Sequence, residues 1–165
     1  IQVDDFLAAK QSVKENNITV VWESDHPEAK AIHLHPKQMG GAILSLDWMN
    51  PKESWKWAGP NWDKFVNTSL VNRFVGVEIQ AENPEDMKNT WQSVLNLKSE
   101  RVTGNQLNLD NTWIRFLEDE DGRGSGVSAF CLEANDNDKL FEKASDLGLV
   151  YEDNIMIGGV KFLLS

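Results

Sequence analysis

The chain has 165 residues, 41% of them hydrophobic and 25% charged, which is ordinary for a globular protein and long enough to bury a real core. Sixteen basic residues, scattered rather than clustered, face 26 acidic ones for a net charge of −10, which excludes nucleic acid and anionic membranes as partners. The lone Cys131 excludes an intrachain disulfide framework and a cysteine-based zinc site, no apolar run approaches a membrane span and nothing resembles a secretory signal, so the cytoplasm is the expected compartment.

A chain that opens with Ile1 inside a strand-like stretch running straight into a helix reads as a fragment whose upstream residues are missing. Asp4 and Asp5 are placed to cap a helix that runs to about Asn16, with Phe6, Leu7 and Val13 on its inner side. The β-branched and aromatic run 18–22 reads as a strand, and 31–35 as the next, ended by Pro36. Gly40 and Gly41 then turn the chain into a third strand over 42–48. Residues 49–73 hold Trp55, Trp57 and Trp62 among Pro51, Gly59 and Pro60 without helical or strand period. Disordered segments are poor in aromatic residues, so this stretch is a connector expected to pack across the sheet or on a neighbouring subunit.

A strand over 74–80 leads to Asn83-Pro84-Glu85-Asp86, a helix start with proline in the first turn and acids at the positive end. Met87, Trp91, Val94 and Leu95 follow at helical spacing as core candidates. Strands are expected at 107–109 and 113–117, then an acidic, glycine-rich connector over 118–126 whose Gly-x-Gly lacks the strand-to-helix context of a phosphate loop. The last stretch has a strand at 128–133, a helix over 136–147 ended by Gly148, and Gly158-Gly159 leading into a strand. One pattern is thus written three times, and the Gly40-Gly41 hairpin recurs at Gly158-Gly159. Such self-similarity means stacked or paired modules.

The segment from His35-Pro36-Lys37-Gln38-Met39-Gly40-Gly41 to Leu44, with the strand–helix–strands repeat, resembles the vicinal oxygen chelate superfamily of glyoxalases, bleomycin-resistance proteins and extradiol dioxygenases. The resemblance implies an α+β fold of repeated βαβββ modules with curled mixed sheets. Residues 1–48 would be a partial module, 49–73 a Trp-rich connector, and 74–165 a paired-module domain made of 74–119 and 127–165. Members usually hold a divalent metal with side chains from the first and last strands of two paired modules. Carried over, those positions fall on Gly76, Arg115, Ala129 and Leu163, and in the first module on Ser45, so no metal and no cofactor is expected. His33 and His35 share a strand face but have no supporting carboxylate on that strand; they and His26 read as structural.

Strand alternation gives a separate reading of a site. Val75, Val77 and Ile79, with Ile114, Phe116, Phe130, Leu132, Val160, Phe162 and Leu164, form an apolar set that belongs under the helices. The opposite set, Glu78, Gln80, Trp113, Arg115, Cys131, Glu133 and Lys161, is then expected to line the concave face and bind a small molecule, with Glu78 as candidate general base. The competing reading is that these charges pair with one another in a filled or solvated cleft. Two functions follow: a lyase- or isomerase-type enzyme on a small carbonyl or carboxylate compound, or a metal-free protein that sequesters a ligand between aromatic walls. A third possibility is that the chain is half of a longer protein whose upstream module completes a cup with residues 1–48. An odd module leaves an edge and an apolar face exposed, so a homodimer is expected.

Overall fold

In a computed structural model, which describes residues 1–165, the chain is α+β and divides into two units, residues 1–66 with 89–98 and residues 67–88 with 99–165. The first unit opens with helix α1 (Phe6–Glu15), begun by Asp5, whose carboxylate accepts the Ala8 N–H at 2.9 Å. Phe6 and Val13, two turns apart on one stripe, are buried. Leu7 is not with them: it is 76% exposed. At about 100° per residue, a single step from Phe6 rotates it off that stripe.

Strands β1 (Val20–His26), β2 (Ala29–Leu34) and β3 (Ser45–Met49) form an antiparallel sheet in that order. Ala29, Ala31, Ile32 and Leu34 of β2 are buried, as are Leu46 and Met49 of β3. The first strand starts two residues later than expected, because Gln38 clamps the loop before it. Its Oε1 accepts the Thr19 N–H and its Nε2 donates to the Asn17 carbonyl, at 2.9 and 3.0 Å. His35 ends outside β2 as the cap of a short 3-10 turn, its Nδ1 accepting the Lys37 N–H at 3.2 Å. Gly40 and Gly41 both take positive φ, which glycine adopts without a Cβ penalty. The chain joins β3 only at Ser45, leaving Ile43 exposed. On the far side of β3, Gln2 makes one parallel bridge to Asp47.

The Trp-rich connector contains two 3-10 turns, Lys56–Ala58 and Trp62–Phe65. Trp57 reaches the sheet of this unit, its Nε1 donating to the buried Asp47 carboxylate at 3.0 Å. After β4 (Val71–Ala81), helix α2 (Pro84–Val94) starts at Asn83, whose Oδ1 accepts the Asp86 N–H at 3.1 Å. Its second half belongs to the first unit, where Trp91 and Val94 are buried, while Met87 is half-buried. The Trp91 Nε1 donates to the Met39 carbonyl at 3.3 Å, and Ser12 Oγ to the Val94 carbonyl at 2.9 Å.

The second unit adds β5 (Val102–Thr103), β6 (Gln106–Asn108), β7 (Trp113–Glu118), β8 (Gly126–Ala134), α3 (Asn137–Asp146), β9 (Val150–Tyr151), β10 (Asn154–Ile157) and β11 (Val160–Leu164). With β4 they make one mixed eight-stranded sheet, ordered β5-β6-β7-β4-β8-β11-β10-β9, whose end strands do not pair. The two-residue strands β5 and β9, too short for a period, were not legible as strands. Each half repeats one rule: its first strand runs parallel to its last, β4 beside β7 and β8 beside β11. The halves meet where β4 and β8 pair antiparallel. On one sheet face Ile79, Ile114 and Phe116 are buried, and the rings of Phe74, Phe130 and Phe162 follow one another at 5.9 and 5.6 Å.

This burial gives a direct contrast. Ile32→Ala should cost about 2–5 kcal/mol through lost transfer energy and a residual cavity, whereas Leu7→Ala should stay within about 0.5 kcal/mol. Urea unfolding of the two variants checks both; equal losses would mean that Leu7 is core after all.

Candidate functional site

Residues opposite one another in a registered sheet share a face, and the register of the second unit assembles two rows there. One runs Gln106, Arg115, Glu78, Ala129, Lys161 across β6, β7, β4, β8 and β11. The adjoining row is Asn108, Trp113, Gly76, Cys131, Leu163. The strands bring Glu78, Trp113, Arg115, Cys131 and Lys161 to one face, as alternation suggests.

Arg115 is the hub. Its Nη1 donates to Glu78 Oε1 at 3.2 Å, and its Nε and Nη2 both donate to Gln106 Oε1, at 3.2 and 3.1 Å. Its guanidinium carbon lies 4.4 Å from the centroid of the Trp113 ring, within reach of a cation–π attraction. A guanidinium has five N–H groups, so one on each terminal nitrogen is uncommitted. The Glu78 side chain is only 12% exposed and the Arg115 side chain 43%, so the pair is anchored at the carboxylate and open at the guanidinium.

Gly76 makes room for this cluster. A β-carbon there would lie 2.4 Å from two atoms of the Trp113 indole, so the ring rests directly on the glycine backbone. Beside it in the row, the buried Cys131 has its thiol pushed up to about 11, by burial first and by the Glu78 carboxylate next, with Arg115 opposing. The thiol is therefore protonated at neutral pH and acts as a small apolar wall.

The remaining sequence candidates have other partners. Lys161 occupies the row with Glu78 but stands three strand spacings from Arg115, about 14 Å at roughly 4.8 Å each; it is exposed. Gln80 is buried and committed to the acidic connector, its Nε2 donating to Asp121 Oδ1 at 2.7 Å, the Gly124 carbonyl at 2.9 Å and Asp119 Oδ1 at 3.1 Å. Asp121 is held well below the ordinary carboxylate range by Arg123 first and the Gln80 amide second, and Arg123 Nη1 also donates to the Gly159 carbonyl. Glu133 sits four residues along β8 from Ala129, roughly 13 Å at strand rise. It accepts from Asn72 Nδ2 and, at 2.9 Å, from Arg73 Nε, which lower its pKa in that order.

No three His, Cys, Asp or Glu side chains are arranged to hold a metal ion. At the positions where the family resemblance implies ligands, Gly76, Ala129 and Leu163 offer no donor side chain and Arg115 is cationic; the residues present do not fit such an ion. The histidines serve locally: His26 Nδ1 accepts the Glu28 N–H at 3.3 Å, and the His33 ring lies 4.5 Å from that of Trp22. Gln106 escaped the sequence reading because it precedes the residues recognisable as a strand; registering the hairpin through Asp110–Thr112 is the signal that would have placed it opposite Arg115.

No family model and no curated protein matches the chain. Among solved structures it is similar to a hypothetical protein from Staphylococcus aureus, at 14% identity and a TM-score of 0.57, over 99% of this chain and 62% of that one. The likeness is one of fold. This chain spans less than two thirds of the length of that protein.

Gly76→Ala should force the indole off the sheet at about 1–3 kcal/mol, and the same change in a Trp113→Ala background should cost much less. A double-mutant cycle by chemical denaturation reads that coupling; additive effects would contradict the contact. The Cys131 thiol should resist an aromatic disulfide reagent at pH 8 in the native protein and react on unfolding. Because its folded pKa is raised above the ordinary 9.0, its contribution to stability is complete below about pH 9 and is lost as pH rises toward 11. Rapid labelling of native protein would contradict the protonated, buried thiol.

Proposed function

We propose that this chain is a vicinal-oxygen-chelate-like protein that binds a small carboxylate or anionic carbonyl compound on the open face of its eight-stranded sheet, without a bound metal. The observation that carries the reading is Arg115, held by Gln106, Glu78 and Trp113 with one N–H on each terminal nitrogen still available. A planar guanidinium so presented suits two parallel hydrogen bonds to a carboxylate, which a lysine cannot reproduce. The first-with-last strand pairing in each half and the antiparallel meeting of β4 and β8 support the glyoxalase-like scaffold. The free, protonated Cys131 suits a reducing cytoplasm.

Sequestration of a ligand fits this geometry best, since one oxygen of Glu78 is engaged and Cys131 is not a thiolate. A lyase- or isomerase-type reading has one observation in its favour: Glu78 is largely buried against Arg115 at the place where a ligand carboxylate would dock. A base there could remove a proton from the carbon next to a carbonyl, with Arg115 stabilising the enolate.

Ligand-observed NMR with pyruvate and benzoate, and with their amides as neutral controls, tests the binding reading. The acids should bind more tightly than the amides, and Arg115→Lys should weaken them about tenfold while costing roughly 1 kcal/mol of stability from the lost Gln106 bonds. Equal signals for acids and amides would sink it. Deuterium incorporation next to the pyruvate carbonyl, abolished by Glu78→Gln, would decide for the enzyme.

A further inference from the structure

The first unit carries a feature that small-molecule binding does not use. Strand β1 ends the three-stranded sheet, so its outer N–H and C=O groups face no neighbouring strand. Six of its seven residues are exposed, including Val20, Val21 and Trp22. Exposed edges of this length are normally blunted by charges or bulges. A register shift between Val20 and Trp22 twists one end, but Trp22–His26 pair regularly with β2. The charges on this strand are already neutralised: Glu23 by Lys10 at 2.5 Å and Asp25 by Lys30 at 2.7 Å.

Beside the same strand lies an open groove of about 590 Å³, lined by the apolar Leu7, Val13, Ile18 and Val20 and by the polar Lys10, Gln11 and Lys14. Leu7 is the helix residue that failed to join the core, and here it forms one wall. Lys10 holds α1 against β1 through Glu23, while the Lys14 ammonium has no carboxylate within ion-pairing distance. In a chain of net charge −10, the unpaired Lys14 places one positive charge at the rim of this apolar groove.

We propose that β1 and this groove dock an extended peptide of alternating apolar and acidic residues, contributed by another protein. The peptide adds a strand to the edge, where main-chain hydrogen bonds hold it. Alternate apolar side chains then enter the groove, and an acid of the peptide meets Lys14. A second copy of this chain suits the edge less well, because it brings together two molecules that each carry a net charge of −10.

The test is fluorescence anisotropy with the full chain and a labelled peptide of about nine residues alternating valine and glutamate. Saturable binding that weakens with added salt is expected, and a valine–lysine peptide should bind markedly less. Lys14→Glu should weaken the acidic peptide roughly fivefold, and Leu7→Asp should abolish binding; both positions are on the surface, and circular dichroism verifies that the variants fold. N-methylation of alternate peptide residues should abolish binding if the strand edge is the contact. Equal affinity for the basic peptide, no saturation at millimolar peptide, or indifference to Lys14→Glu overturns the proposal. So does a dimer in sedimentation velocity that Lys14→Glu dissociates, since the occupant would then be a second copy. None of these outcomes bears on Arg115 or its ligand.

Discussion

The antiparallel pairing of β4 with β8 is the constraint on which the second unit depends. Each half contributes four strands, and neither half alone covers the edge of its own first strand. Joining them satisfies both edges at once and turns two small sheets into one of eight strands. The pairing also sets the site, because it places Gly76 opposite Cys131 and Glu78 opposite Ala129. A slip of one residue would send every one of these side chains to the opposite face. Three register shifts fall within this single strand pair, so the local twist is concentrated where the halves join.

Around that seam, packing and charge are coupled. The indole of Trp113 can lie flat only because position 76 has no side chain, and Arg115 then stacks on that indole. Gln106 and Glu78 fix the guanidinium from two sides, which leaves its remaining donors with a defined direction. Such preorganisation lowers the entropy lost when a ligand binds. Burial raises the Cys131 thiol pKa, and the nearby Glu78 carboxylate adds to the shift by disfavouring a second negative charge. One cluster thus determines the donor it presents and the nucleophile it withholds.

The two units treat their edges differently. In the eight-stranded sheet the ends are the two-residue strands β5 and β9, too short to template much pairing. In the three-stranded sheet the end is the seven-residue β1. Elsewhere in the first unit polar groups are closely matched: Asp47 receives the Trp57 indole N–H and Gln38 closes the loop before β1. No buried side-chain nitrogen or oxygen in the chain lacks a partner. The open edge of β1 therefore stands out against a structure that otherwise satisfies its polar groups.

Much was decided by local physics and legible in the residues. Asp5, Pro84 and Asp136 start helices because a carboxylate or a fixed φ at those points favours helical geometry whatever surrounds it. Period-two alternation was enough to set Glu78 on β4, Trp113 and Arg115 on β7, Cys131 on β8 and Lys161 on β11 opposite the apolar side of their own strands, since that property belongs to each strand alone. Neighbourhood across strands does not. That Arg115 is held by Gln106, that Trp113 needs Gly76, and that Gln80 and Glu133 are claimed by the acidic connector and by Asn72 with Arg73 all depend on register between segments far apart in the chain. Leu7 shows the same division at its smallest scale. Hydrophobicity marked it for the core, but the angle it subtends on a packed helix, fixed only when α1 meets its sheet, left it facing water.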